Sequence, residues 1–305
     1  MDSTALISTF STRMMPFLAI LRHDLQTLLG SWLVRIWLAA AMLLTLVVAA
    51  IGWHRYPNAP LIASLLFPYL VFPWFVVVMV LGINPISGSR TDSLADGFLS
   101  RPITRYEYLL AVWAARVVTV LLSYLVVILP AIGIVVLANR PVEPDRVTCY
   151  GAVAAIAVVA LVLVFQVSLA FLVGTLLRRS PLAIVVLLFL WYPVNMLLYT
   201  FRLEAFSPLA LSQAVPALLR QPWRPGDLAS GPAADAQLEE ATRKAADFWT
   251  TLSGTAPEPP PAHKPGFFER DEFHDFSLAK VLLGYGLPTL AATALATLCF
   301  CRRDL

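Results

Sequence analysis

Apolar residues along this chain fall in long unbroken runs, without the alternation of a half-buried strand. No charged side chain lies between Arg55 and Arg90, and none between Arg116 and Arg140. At ~1.5 Å of helix per residue, such runs suffice to cross ~30 Å of hydrocarbon. Uncharged stretches near 20 residues predict six spans, at about 36–53, 60–84, 108–137, 148–177, 181–201 and 281–300. A charge at a span centre costs about 2.5–3.5 kcal/mol on insertion scales. Five of the six hold no Asp, Glu, Lys or Arg, and the third holds Arg116. Lipid offers bare backbone no hydrogen-bond partner, so each span is predicted as a helix. Pro68, Pro73 and Pro130 should kink spans two and three, because each lacks a backbone donor. The fold class is all-α integral membrane.

The polar segments divide the chain further. Residues 1–30 precede the first span, and Pro16 to Gly30 set Phe17, Leu18, Leu21, Leu25, Leu28 and Leu29 at helical spacing, with Arg22, His23 and Gln26 elsewhere. That pattern predicts an amphipathic helix lying at the interface, either contacting a partner or anchoring to the surface. Residues 31–201 hold spans one to five. Within them the loop 87–107 reads as a short helix presenting Leu94, Phe98 and Leu99, with Asp92, Asp96 and Arg101 around them, before Pro102 turns the chain into span three. Residues 202–276 form a long outer segment, and 277–305 supply span six and a tail. The outer segment carries a helix signal from Ser230-Gly-Pro232 to Gly254, with Leu238, Ala241, Ala245, Phe248 and Leu252 in a stripe. A stiff Pro257-Glu-Pro-Pro-Pro261 linker follows. A substrate-gating lid and a passive loop both fit that segment.

Composition agrees with the spans. The chain is 59% hydrophobic and 13% charged, with a mean hydropathy of +0.75, against roughly 25% charged residues in soluble domains. A net charge of +3, scattered over loops, gives no footprint for nucleic acid. With the amino terminus inside, the inner face collects Arg13, Arg22, Arg35, Arg90, Arg101, Arg105, Arg178, Arg179, Arg302 and Arg303. The short outer loops hold Arg55, Arg140 and Arg146. The asymmetry predicts a multi-pass protein of the plasma (inner) membrane with both termini cytoplasmic. The first apolar run is too long, and too far from the start, for a cleaved signal peptide.

Chemistry-bearing motifs are few. No Gly-Lys pair occurs, which excludes a phosphate-cradling Gly-x-x-x-x-Gly-Lys-[Ser/Thr] loop. Any ATP hydrolysis therefore belongs to a separate subunit, and this chain is not expected to be an enzyme. His23, His54, His263 and His274 show no metal-ligand spacing, and no His-Glu-x-x-His run exists. Cys149 falls at the outer end of span four and Cys299 and Cys301 at the inner end of span six, so all three are read as unpaired. The polar side chains inside spans are Arg116, Gln166 and Asn195, candidates for a transport path or for helix–helix polar contacts.

The run Arg90 to Tyr108, with Ser100-Arg-Pro-Ile-Thr-Arg105 followed by Tyr106-Glu-Tyr-Leu-Leu110, resembles the coupling-helix loop of ABC-2 type permeases, the membrane subunits of ABC exporters. The tail Phe300-Cys-Arg-Arg-Asp-Leu305 is similar to that family's Phe-x-Arg-Arg-Asp ending. A long outer segment before span six, opened by Phe206-Ser-Pro208, resembles the branch of nitrous oxide reductase maturation permeases. The loop departs from the family at Ser93-Leu94, where Gly-Thr is frequent, and span three departs at Ala111-Val112, where a Lys is common.

The resemblance implies six transmembrane helices of ABC-2 (type V exporter-like) architecture that couple hydrolysis on a separate ATP-binding cassette subunit to substrate movement. Asp92, Leu94, Asp96, Phe98, Leu99, Arg101, Pro102, Arg105 and Glu107 would meet that subunit. The implied partners are the ATPase, a second copy or a similar permease, and membrane lipid. No cofactor is implied in this chain, ATP and Mg being held by the partner. A self-contained secondary transporter, or another polytopic membrane protein, is the alternative. An intramembrane enzyme would need a base within the spans, and these hold no Asp, Glu or His.

Overall fold

In the computed structural model of the protein, the residues described are 3–89, 104–138, 147–177, 180–201, 206–221 and 278–302. Among them the regular structure is helical throughout: α1 (Ser3–Gly30), α2 (Trp32–Gly52), α3 (Asn58–Leu70), α4 (Trp74–Ser89), α5 (Arg105–Leu137), α6 (Cys149–Leu176), α7 (Ser180–Thr200), α8 (Pro208–Leu219) and α9 (Leu278–Cys301). Among the described residues, six stretches are long and apolar enough to cross a membrane: α2, α3 with α4 to Ile83, α5, α6, α7 and α9. The protein is thus an all-α membrane-embedded protein.

Span boundaries differ from the sequence expectation for local reasons. α2 starts at Trp32, because Ser31 caps it: the Val34 N–H donates to the Ser31 hydroxyl at 3.4 Å. Arg35 then sits in the first turn, where a long side chain reaches the interface, so the span opens four residues before the expected position 36. α5 begins with Thr104 at its N-cap, and the Glu107 carboxylate accepts from the Thr104 N–H at 3.2 Å. α6 is capped by Thr148, whose hydroxyl accepts from the Gly151 N–H at 2.9 Å.

The second span is broken rather than kinked. α3 ends at Leu70, Val71 to Pro73 run non-helically, and α4 starts at Trp74. Pro73 supplies no N–H to continue the ladder, and the Phe72–Pro73 peptide is cis. Pro68 lies inside α3 and Pro130 inside a continuous α5. Aromatic rings pack about this break: Tyr69 meets Tyr124 edge-on at 4.9 Å, and Trp74 meets Trp37 edge-on at 6.5 Å. Such pairs add about 0.5–1.5 kcal/mol each beyond burial, and these two join α3 to α5 and α4 to α2.

α6 is the hub, with 14 buried residues. α4 approaches it closely because glycine stands at two contact points. A Cβ on Gly82 would lie 2.6 Å from the Ala170 Cβ, and one on Gly174 would lie 2.9 Å from the Ile83 carbonyl oxygen. Small residues permit this backbone proximity, which supplies packing that hydrophobicity cannot supply in lipid. α7 stands apart, with Phe189 and Met196 about three-quarters exposed. Its anchor is Trp191, stacked on Phe75 at 5.8 Å.

One end of the body gathers α1, the start of α5 and the ends of α6 and α9 in a cluster of Ile20, Leu109, Val112, Phe171, Ala296 and Phe300. α1 is longer than the helix expected from residue 16. The opposite end holds α8, which was not anticipated: the segment assigned to the outside, 202–276, begins with a helix whose residues are mostly buried. Twelve residues reach ~18 Å, too short to cross. Its entry is tied by the Tyr285 hydroxyl, which donates to the Phe206 carbonyl at 2.8 Å. Tyr285 is seven residues into α9, or ~10 Å from that helix's start. The exit is tied by Thr148, whose N–H donates to the Leu219 carbonyl at 3.0 Å and whose hydroxyl donates to the Gln221 carbonyl. The helix expected over 230–254 and the following linker lie outside the described residues.

Candidate functional site

The segment 90–103 leaves α4 and enters α5 at the end of the body that also bears α1. Asp92, Leu94, Asp96, Phe98, Leu99, Arg101 and Pro102 lie outside the described residues. Arg105 opens α5, and Glu107 caps that helix as described. What the structure defines is therefore the base of the loop: its two stems and what they rest on.

Arg116 lies 11 residues beyond Arg105, ~16 Å along α5, and its side chain is only 8% exposed. Its Nε donates to the Leu81 carbonyl of α4 at 3.1 Å, and its Nη1 donates to the Val112 carbonyl of its own helix at 2.8 Å. The same Nη1 lies 3.9 Å from Asp24 Oδ2 on α1. At that length Asp24 is a counter-charge at the edge of contact, and burial pushes its carboxyl above the usual carboxylate range, opposed by the nearby charges of Arg116 and His23. One side chain thus touches α1, α4 and α5. Nearby, Trp113 Nε1 donates to the Ser168 hydroxyl at 3.0 Å, fixing α5 on α6.

Asp24 was missed by sequence reasoning, and a signal for it existed. Phe17, Ile20, Leu21 and Leu28 form the face of α1 turned to the body. Asp24 falls on that face, three residues after Leu21 and four before Leu28. A carboxylate within an apolar stripe calls for a cation, and Arg116 was the lone charge inside a span.

Gln166 and Asn195 serve differently. Asn195 Nδ2 donates to the Trp191 carbonyl one turn back in its own helix, at 2.8 Å, so it bridges no pair of helices. Gln166 is fully buried in α6, and neither its oxygen nor its nitrogen has a hydrogen-bond partner among the described residues. No hydrogen bond or ion pair among the described residues joins Arg116, Gln166 and Asn195.

Asn195 does line two apolar cavities that flank the far half of α7. One, of about 270 Å³, lies against Phe165, Leu169, Phe206 and Tyr285. The other, of about 480 Å³, lies against Leu70, Val71, Met196 and Leu209. Among the described residues no group of three or more His, Cys, Asp or Glu is placed to hold a metal ion. Cys149, Cys299 and Cys301 are free thiols.

Fold and site together define a polytopic α-helical membrane protein with a buried cation at the root of one inter-helix loop. No protein-family model matches the chain, and no curated protein matches it.

Proposed function

We propose that this chain is the membrane permease subunit of an ATP-binding cassette transporter of the ABC-2 type, working as an exporter beside a separate ATPase. One observation carries the reading most: the stems of the 90–103 segment, α1 and the final turns of α6 and α9 converge at one end of a six-span body. A partner pressing on that end would move several spans at once. The basic residues at these span ends favour the cytosol as its location, where an ATPase would find the Leu94, Phe98 and Leu99 face. Nucleotide-driven closure of that partner would shift a two-state equilibrium of the membrane body. Six spans form one half of a twelve-span core, so the working unit is a pair of permease chains with their ATPases.

The test is Phe98→Asp with Leu99→Asp in the chain co-expressed with its ATP-binding cassette partner. Membrane insertion and thermal stability should remain as in the wild type, while ATP hydrolysis ceases to respond to the permease and transport stops. Unchanged stimulation would remove the loop from the coupling role.

A further inference from the structure

Residue 85 is proline, inside α4. It carries no N–H, so the Leu81 carbonyl four residues earlier lacks its usual helical donor. A carbonyl orphaned at membrane depth has no water to bond and costs free energy if left unmet. The donor that reaches it is the Nε of Arg116, from a different helix. The guanidinium stays in the body although its long stem would ordinarily let it snorkel to the interface. Its Nη1 is meanwhile held by the Val112 carbonyl and faces Asp24.

We propose that Arg116 is a positioning residue that supplies the hydrogen bond Pro85 withholds, and thereby rivets α4, α5 and α1 into one mechanical unit. α4 and α5 are the two stems of the 90–103 segment. Without the rivet the stems could splay, and α1 would lose its ion-pair contact with α5. Arginine suits the place because its fork of fixed donors serves several acceptors at once and keeps its charge when buried. The purpose of such a unit rests on the coupling role proposed above, but its existence does not.

The decisive comparison is a rescue, made on the full-length chain in lipid nanodiscs. Arg116→Leu should lower Tm by at least ~5 °C, since breaking a buried pair leaves its partners unmet. It should also speed amide hydrogen exchange in both α1 and the last turns of α4. Pro85→Ala restores an N–H to the Leu81 carbonyl, so the double variant should regain more than half of the lost Tm and slow exchange in α4, with α1 still loosened. Pro85→Ala should leave amide exchange in α1 of Asp24→Asn unchanged, because that variant keeps the Arg116 bond to the Leu81 carbonyl. Arg116→Gln carries the same comparison if Arg116→Leu does not insert.

No recovery in the double variant, or exchange that rises in α1 alone, would overturn the proposal. No ATPase enters these measurements, so the rivet can fail while the coupling loop stands, and the reverse.

Discussion

The contact between α4 and α6 permits a quantitative test, because its closeness depends on residues without side chains. Replacing Gly82 by Ala would place a Cβ 2.6 Å from the Ala170 Cβ and 3.1 Å from the Val167 carbonyl oxygen. Neither atom can rotate away, since one is fixed to the backbone and the other belongs to it. Overpacking of this kind costs about 1–3 kcal/mol, against a gain of about 1 kcal/mol from replacing a helical glycine by alanine. The rigid neighbours favour the upper part of the first range, so a net loss of about 1–2 kcal/mol is expected. Gly133→Ala is the control: nothing lies within 4 Å of a Cβ there, so only the helical gain should remain. Ala170→Gly removes the nearer clash and should couple favourably to Gly82→Ala by at least ~1 kcal/mol, as contacting sites do. Unfolding in mixed micelles with increasing denaturing detergent would give all four stabilities. A Gly82→Ala protein as stable as Gly133→Ala, or no coupling to Ala170→Gly, would refute the close approach of the two helices.

Three further outcomes follow from other contacts. Tyr285→Phe frees the Phe206 carbonyl from its 2.8 Å bond and should cost about 1 kcal/mol, with hydrogen exchange in α8 rising more than in α9. Thr148→Val removes the acceptor for the Gly151 N–H and a donor to the Leu219 carbonyl; a loss of about 1–2 kcal/mol, read in the same micelles, is expected from the cap. Asp24 titrates above its ordinary value of 3.8 because burial outweighs the attraction of Arg116 and His23. The folded chain therefore binds this proton before the unfolded chain does, and the group's contribution to stability falls as pH rises through the interval above 3.8. Relative to Asp24→Asn, the wild type should gain stability on acidification through that interval, and parallel pH profiles for the two proteins would contradict the placement of Asp24.

Much of the architecture is legible in the sequence because lipid enforces it. A 20-residue run without charge has few places to go other than across a membrane, and five of the spans were expected within a few residues of their helices. What escaped reading was structure that does not cross. α8 is apolar but only 12 residues long, too short to read as a span, and its Ser212 and Gln213 interrupt the apolar run, yet both are buried. Its place is set by Tyr285, some 80 residues downstream of its entry, and Thr148, some 70 upstream of its exit, a closure that no local pattern encodes. The break at Val71 to Pro73 was read as a kink, since the proline is visible but the ring packing that stabilises a full interruption is not. Arg116 was visible as an oddity, but its partners required both the wheel of α1 and recognition that Pro85 leaves a carbonyl in need.

These observations distribute stiffness unevenly through the body. Near the end that bears α1, α4 lies on α6 through the Gly82 and Gly174 contacts and on α5 through Arg116, so little freedom remains between those three helices. Toward the other end, the same second span is interrupted at residues 71–73, α8 stops partway through the body, and cavities lie on both sides of α7 around Asn195. Packed interfaces switch between discrete arrangements and do not deform continuously. A push delivered at the stiff end would therefore be carried as a rigid displacement and absorbed where α7 and α8 have room to repack. On the coupling role proposed here, cavity-filling changes such as Leu169→Trp should slow transport while leaving the ATPase docked. A tryptophan on the exposed side of α7, at Phe189, should leave both transport and docking unchanged.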